Sequence, residues 1–224
     1  MSEKSTNKYA IVDLEATSAS STACIIQVGI VIMQNGRVID EFASDVNPHQ
    51  KLDNHIVHLT GITDQQLSQA PDFTEIARTI FELIEDCIFV AHNVKFDANL
   101  LAEALFMEGF ELRTPRVDTV ELAQVFYPTL EQYNLSYLSR VLNLDLAQAH
   151  TAIEDARATG KLLFHLMDKI ASLPRQTIDM LLTFSDNLLF ESELVIRDAI
   201  KGKTNSLSKE YIMLEESGIV LRRP

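Results

Sequence analysis

Apolar positions near the start of the chain are spaced as strands require. Tyr9–Asp13 is a short apolar run that ends on a carboxylate. Ile25–Met33 is long and rich in β-branched residues, and Asn35-Gly36 follows it. Both residues of a tight hairpin turn must accept positive φ, so Asn-Gly between two strand-like runs predicts a two-residue hairpin. Arg37–Val46 then returns as a third strand.

After Asn47-Pro48 the period changes. Asp53–Leu59 and Thr63–Leu67 read as short helices around Gly61. Across Asp72–Glu85, Phe73, Ile76, Ala77, Ile80, Phe81 and Ile84 recur every three or four residues, the spacing of an amphipathic helix. Asp72 stands as its N-cap, with Glu75 three residues on. Ile88–Ala91 is apolar throughout, as a central strand should be. Phe96–Met107 is expected to be helical and to stop at Gly109, and Val117–Asp118 to be a short fifth strand. Helices are expected over Val120–Tyr127, Leu135–Leu142 and Thr151–Ile170. The order predicts an α/β fold, a mixed five-stranded sheet flanked by helices. A boundary is expected at Leu173-Pro174, dividing a domain of residues 1–172 from a helical extension at 173–224. Within the extension, Thr177–Leu189 and Ser192–Ile200 read as helices.

Composition adds limits. The chain has 224 residues, enough to bury a core without disulfides or a structural metal. Its apolar runs fall short of a membrane span, and MSEKSTNK does not read as a secretory signal. Cys24 and Cys87 lack metal-ligand spacing and read as buried thiols in a reducing, cytoplasmic compartment. Gly202-Lys203-Thr204 resembles the end of a phosphate-binding loop, but Arg197 stands where that motif needs glycine. The formal charge is −13, and residues 1–170 hold 12 basic against 24 acidic residues. Such acidity argues against a tight grip on phosphates, unless some of the carboxylates hold cations.

Three segments place carboxylates where they could do so. Asp13 and Glu15 are two apart at the end of the first strand, so they share a face. Ligands bind at strand ends in open α/β sheets. Ala91-His92-Asn93-Val94-Lys95-Phe96-Asp97 follows the fourth strand and puts Asp97 in the first turn of a helix. His150 lies in a loop before the last long helix of the first domain, and Asp155 in that helix's first turns.

Taken in order, DxE, HNxxFD and HxxxxD resemble the DEDDh exonucleases, the ribonuclease H-like family that includes the proofreading subunit of bacterial replicative polymerases. The likeness covers roughly residues 8–170. His58-Leu59-Thr60-Gly61-Ile62-Thr63 is similar to a segment of the polymerase-associated and DinG-type branches, and Asp118-Thr119 to an Asp-Thr after the fifth strand. Thr151 stands where the tyrosine branch would carry Tyr. Two departures are visible. Many members have Glu where this chain has Gln27, and Asp13–Ser18 reads DLEATS where members often read DxETTG.

The resemblance implies a 3′–5′ exonuclease releasing 5′-mononucleotides. Two divalent ions, Mg²⁺ or Mn²⁺, would be held by Asp13, Glu15, Asp97 and Asp155, with His150 as general base. Hard cations favour carboxylate oxygens, and a pair of them can clamp the attacking and leaving oxygens of a phosphodiester. Substrate-lining candidates are Ala16, Thr17, Leu59, Thr60, His92, Asn93 and Phe96. Leu59 suits either an apolar wedge against the terminal base or the core, and Phe96 either substrate or helix packing. The expected partners are single-stranded 3′ ends, DNA or RNA, and a fused or associated helicase or polymerase, with no membrane. The region from Leu173 on is similar to the linker after the exonuclease part of DinG-type helicase proteins. The chain is therefore expected to be either the N-terminal portion of a longer bifunctional protein or a reduced member. An RNA-trimming enzyme and a non-catalytic docking module of the same fold are the other readings.

Overall fold

The computed structural model describes residues 7–18, 20, 23–144 and 151–201. Five strands form one sheet: β1 (Tyr9–Ala16), β2 (Ile25–Gln34), β3 (Arg37–Asp45), β4 (Ile88–Ala91) and β5 (Arg116–Asp118). Their order is β3-β2-β1-β4-β5, with β1, β2 and β3 antiparallel and β1, β4 and β5 parallel. The Asn-Gly expectation holds. Gln34 pairs with Arg37, and Asn35 and Gly36 take φ of 53° and 73°.

The helices are α1 (Asn54–Thr60), α2 (Asp64–Leu67), α3 (Phe73–Ile84), α4 (Val94–Met107), α5 (Thr119–Phe126), α6 (Leu135–Val141), α7 (Ala152–Ser172) and α8 (Arg175–Phe184). The Asp72–Glu75 capping box opens α3. Two starts are earlier than the apolar pattern indicated. Helix α4 begins at Val94 and α5 at Thr119, because Asp118 accepts hydrogen bonds at both turns. The predicted helix over Thr177–Leu189 is shorter: α8 ends at Phe184, and a 3-10 turn covers Ser185–Asn187.

Side chains alternate between the two faces of β1. Ala10, Val12 and Leu14 pack with Ile80, Val94 and Leu101 of α3 and α4. Tyr9 and Ile11 pack with Leu122 of α5, Leu138 of α6, and Leu162 and Leu166 of α7. The sheet is thus covered on both faces, and the fold is of the ribonuclease H-like exonuclease type.

Residues 193–201 are helical and contribute Val195, Ile196 and Ala199 to the α7-side core. Polar contacts tie this segment down. Tyr9 Oη donates to Asp198 Oδ2 at 2.8 Å, and Glu121 accepts from Leu189 N at 2.6 Å and Ser192 Oγ at 2.7 Å. No helix among the described residues is long and apolar enough to cross a membrane.

Candidate active site

The site forms where β1 outruns β4. Strand β4 pairs with β1 only from Tyr9 to Ile11. Beyond that point Asp97 takes the place of a strand, and its Oδ1 accepts from Leu14 N at 3.0 Å. Asp13 and Glu15 leave the same face as Ile11, toward α7, and both are half-buried. Asp155, one turn into α7, comes to meet them. Ligand oxygens of Asp13, Glu15 and Asp155 lie within 4.8 Å of one another. Asp97 reaches the same strand end from the opposite layer of helices.

Helix α7 can come this close because β2 carries Gly29 opposite Asp13. A Cβ at Gly29 would lie 2.2 Å from the Ala152 carbonyl carbon. Real Cβ atoms do not approach that closely, so any side chain here would push the first turn of α7 off the sheet. A bulge between Glu15 and Ala16 ends the regular pairing of β1 with β2 at the site's edge.

The electrostatics are those of crowded, buried carboxylates. Burial, then repulsion from Asp97, Asp155 and Glu15, lifts Asp13 well above the ordinary carboxylate range. Burial lifts Asp97 to about 7, aided by Glu15 and Asp118 and opposed by the Leu14 N–H bond. Crowded oxygen donors of this kind fit a hard divalent cation better than they fit one another. The cluster could therefore hold a metal ion.

Candidate substrate residues divide between lining and scaffolding. Glu15, Ala16, Thr17, Leu59 and Phe96 line one cavity of about 410 Å³, together with Asp53, His55 and Ile56. Leu59 is 63% exposed in it, so it is not a core residue. Thr17 also closes its own loop, accepting from Cys24 N at 3.0 Å through Oγ1. Asn93 is exposed at φ 78°, and its side chain caps nothing. Two candidates turn inward instead. Thr60 Oγ1 donates to Ile56 O and accepts from Ile62 N, closing α1. His92 Nε2 donates to Tyr133 O at 2.8 Å, and its Nδ1 lies 2.8 Å from Thr119 Oγ1. Burial lowers the His92 pKa. Both ring nitrogens of His92 are thus engaged by the framework of the fold. His150 lies outside the described residues.

The residue that sequence reasoning undervalued is Asp118. It is buried, and it accepts from Asn93 N (3.0 Å), Val94 N (3.3 Å) and Val120 N (2.8 Å). It thereby fixes the start of α4 three residues before Asp97. Its only signal was the Asp-Thr pair at the end of a short strand. A larger groove of about 530 Å³, lined by Cys24, Phe73, Leu100 and Met107 among others, contains none of the four acids.

Residues 10–163 match the family model described as Exonuclease. The chain belongs to the exonuclease family. The resemblance to DEDDh exonucleases is borne out. The 3′-5′ exonuclease DinG of Staphylococcus aureus (strain USA300) is 35% identical over 211 residues, which are 93% of this chain and 24% of that protein. The chain thus spans about a quarter of the length of the curated relatives it matches. Among solved structures, E. coli exonuclease I in complex with a dA16 oligonucleotide superposes with a TM-score of 0.63 at 18% identity, over 73% of this chain and 43% of that one. The nuclease domain of 3′hExo, a DEDDh family member bound to rAMP, gives a TM-score of 0.62 at 16% identity, covering 72% and 92%.

Proposed function

We propose that this chain is a metal-dependent 3′–5′ exonuclease that shortens single-stranded DNA and releases 5′-mononucleotides. The observation that carries the reading is the meeting of Asp13, Glu15 and Asp155 at one strand end, with Asp97 bound to the same strand. Asp13, Glu15, Asp97 and Asp155 would hold two divalent ions, Mg²⁺ or Mn²⁺. Bound there, the ions supply charge stabilisation on the phosphodiester oxygens and lower the pKa of the attacking water. His150 takes the proton from that water. Its ordinary pKa near 6.5 suits a base working around neutral pH.

The terminal nucleotide enters the cavity beside Glu15. Leu59 presents its exposed side chain to the base, Phe96 forms the facing apolar wall, and Ala16 and Thr17 edge the sugar. Asn93 stands exposed at the start of α4, toward the incoming strand. The exonuclease I complex with a dA16 oligonucleotide supports DNA as the substrate. Two free cysteines, Cys87 buried and Cys24 half-buried, suit a cytoplasmic setting. A fused or associated helicase or polymerase is the expected partner, since this chain spans only 24% of the DinG relative.

The test uses 5′-labelled single-stranded DNA, duplex DNA and RNA with Mg²⁺, Mn²⁺ or EDTA, alongside Asp13→Ala. A ladder receding from the 3′ end, absent with EDTA and in the variant, is the expected result. Faster shortening of RNA would move the substrate to RNA. An absence of cleavage with every metal would leave a docking module.

A further inference from the structure

Thr151 is the N-cap of α7, yet its side chain caps nothing. The first N–H of the helix, on Ala152, is taken instead by a residue of the sheet. Gln27 Oε1 accepts from Ala152 N at 2.8 Å. Gln27 is the cross-strand partner of Glu15, and the helix it holds starts two residues after His150 and three before Asp155. The amide is itself oriented. Gln27 Nε2 donates to Asp45 Oδ1 at 2.7 Å, and Asp45 Oδ2 accepts from Gln66 Nε2 at 2.7 Å. A carboxylate can only accept, so Asp45 forces the Gln27 nitrogen toward itself and the oxygen toward Ala152.

We infer that Gln27, oriented by Asp45, is a positioning residue that sets where the Thr151–Asp155 segment stands against Glu15, and that its neutrality is required by Asp45. The inference rests on the exonuclease reading for its catalytic consequence. Gly29, two residues along β2, lets the first turn of α7 sit on the strand, and Gln27 then fixes it there. A carboxylate at position 27 could still accept from Ala152 N, but its second oxygen would face Asp45 at hydrogen-bond distance with no proton between them. Loss of a residue that orients a ligand-bearing segment typically costs about 10- to 100-fold in activity.

The test compares Gln27→Leu, Gln27→Glu, and Gln27→Glu combined with Asp45→Asn. The combined change returns a donor to face the new carboxylate and keeps an acceptor for Gln66. The readouts are kcat and KM on a labelled single strand with Mn²⁺, and hydrogen exchange of the Ala152 amide in the metal-free protein. Expected is a kcat loss of about 10-fold or more in both single variants, with KM changed less than about twofold. Ala152 protection should fall alongside, and the combined variant should recover both. Single variants with wild-type kcat, or a combined variant no better than Gln27→Glu, would overturn the inference. A wild-type chain that degrades no strand would sink the exonuclease reading instead. In that case unchanged Ala152 exchange in Gln27→Leu would overturn the positioning as well, and faster exchange would uphold it.

Discussion

The two acid-bearing helices of the site begin alike and differ by one charge. Neither α4 nor α7 is capped by the side chain of its own N-cap residue, Asn93 or Thr151. Each is held from the sheet: α4 by Asp118 at the end of β5, α7 by Gln27 on β2. The Asp118 cap is a buried carboxylate satisfied by three backbone N–H groups, and its charge helps lift Asp97. The Gln27 cap is a neutral amide placed next to Glu15, where a further charge would join Asp13, Glu15 and Asp155. A helix start can be anchored by a carboxylate where one acid must be placed. Where three already crowd, an amide serves the same geometry without added repulsion.

Asp13 stands within the influence of both helices' acids, Asp97 and Asp155, so removing it should have the largest effect. Asp13→Asn is expected to lower kcat on the order of 10³-fold or more, about 4 kcal/mol of barrier. Single-turnover decay of a labelled strand measures it, and a loss under tenfold would mean that the helices do not serve one centre. In the proposed function the general base is His150, two residues before α7 in sequence. His150→Ala should cost on the order of 10²-fold in turnover while leaving Mn²⁺ binding by calorimetry unchanged. Near-normal turnover would remove His150 from that role.

Packing differs between the two starts as well. Gly29→Ala should destabilise the fold by about 1–3 kcal/mol, because the new Cβ meets Ala152 backbone rather than a side chain that can swing away. Urea denaturation would show this as a lower midpoint at unchanged slope. Asp118→Asn makes the two caps alike in charge. An amide keeps an acceptor for Asn93 N and Val120 N but turns its NH₂ toward Val94 N. A loss of roughly 1–2 kcal/mol is expected. An unchanged midpoint would show that the α4 start does not depend on the charge.

A further difference concerns pH. Burial, with repulsion from Glu15 and Asp118, raises Asp97 to about 7 in the folded chain, above the ordinary carboxylate value. Between roughly pH 4 and 7 the folded state therefore binds more protons than the unfolded state, so this group favours folding at low pH. The metal-free protein should lose that contribution as pH rises through the window, and Mg²⁺ or Mn²⁺ should abolish the trend. The difference in Tm between wild type and Asp97→Asn, followed from pH 5 to 7.5 with EDTA, isolates it. A difference moving in wild type's favour as pH rises would contradict the assignment.

Legibility in the sequence followed the range of the forces involved. The hairpin at Asn35-Gly36, the α3 capping box and the strand at Ile88–Ala91 depend on neighbours a few residues away, and all were readable. The start of α4 was misplaced by two residues because its cap, Asp118, lies 24 residues from Val94. The hydrogen bonds of His92 were not readable because its motif is local, while its partners, Thr119 and Tyr133, are 27 and 41 residues away. Leu59 had two equal readings until its exposure beside Glu15 separated them. Residues beyond 173 were read as a helical extension, and Val195, Ile196 and Ala199 within it share a core with Tyr9 and Ile11. Their apolar spacing showed a helix but not which surface it covers.

The sequence by itself determined the strand and helix order, the four acids at three strand or helix ends, and the family those motifs belong to. Periodicity and motif spacing are properties of the chain, so they survive without coordinates. Tertiary structure alone decided that Asp97 substitutes for a strand partner of Leu14, and that Gly29 admits α7 to the sheet. It also decided that Gln27, 125 residues before Ala152, holds the helix carrying Asp155. Those are contacts between segments brought together by burying two apolar faces of one sheet, and no local pattern encodes which segments will meet.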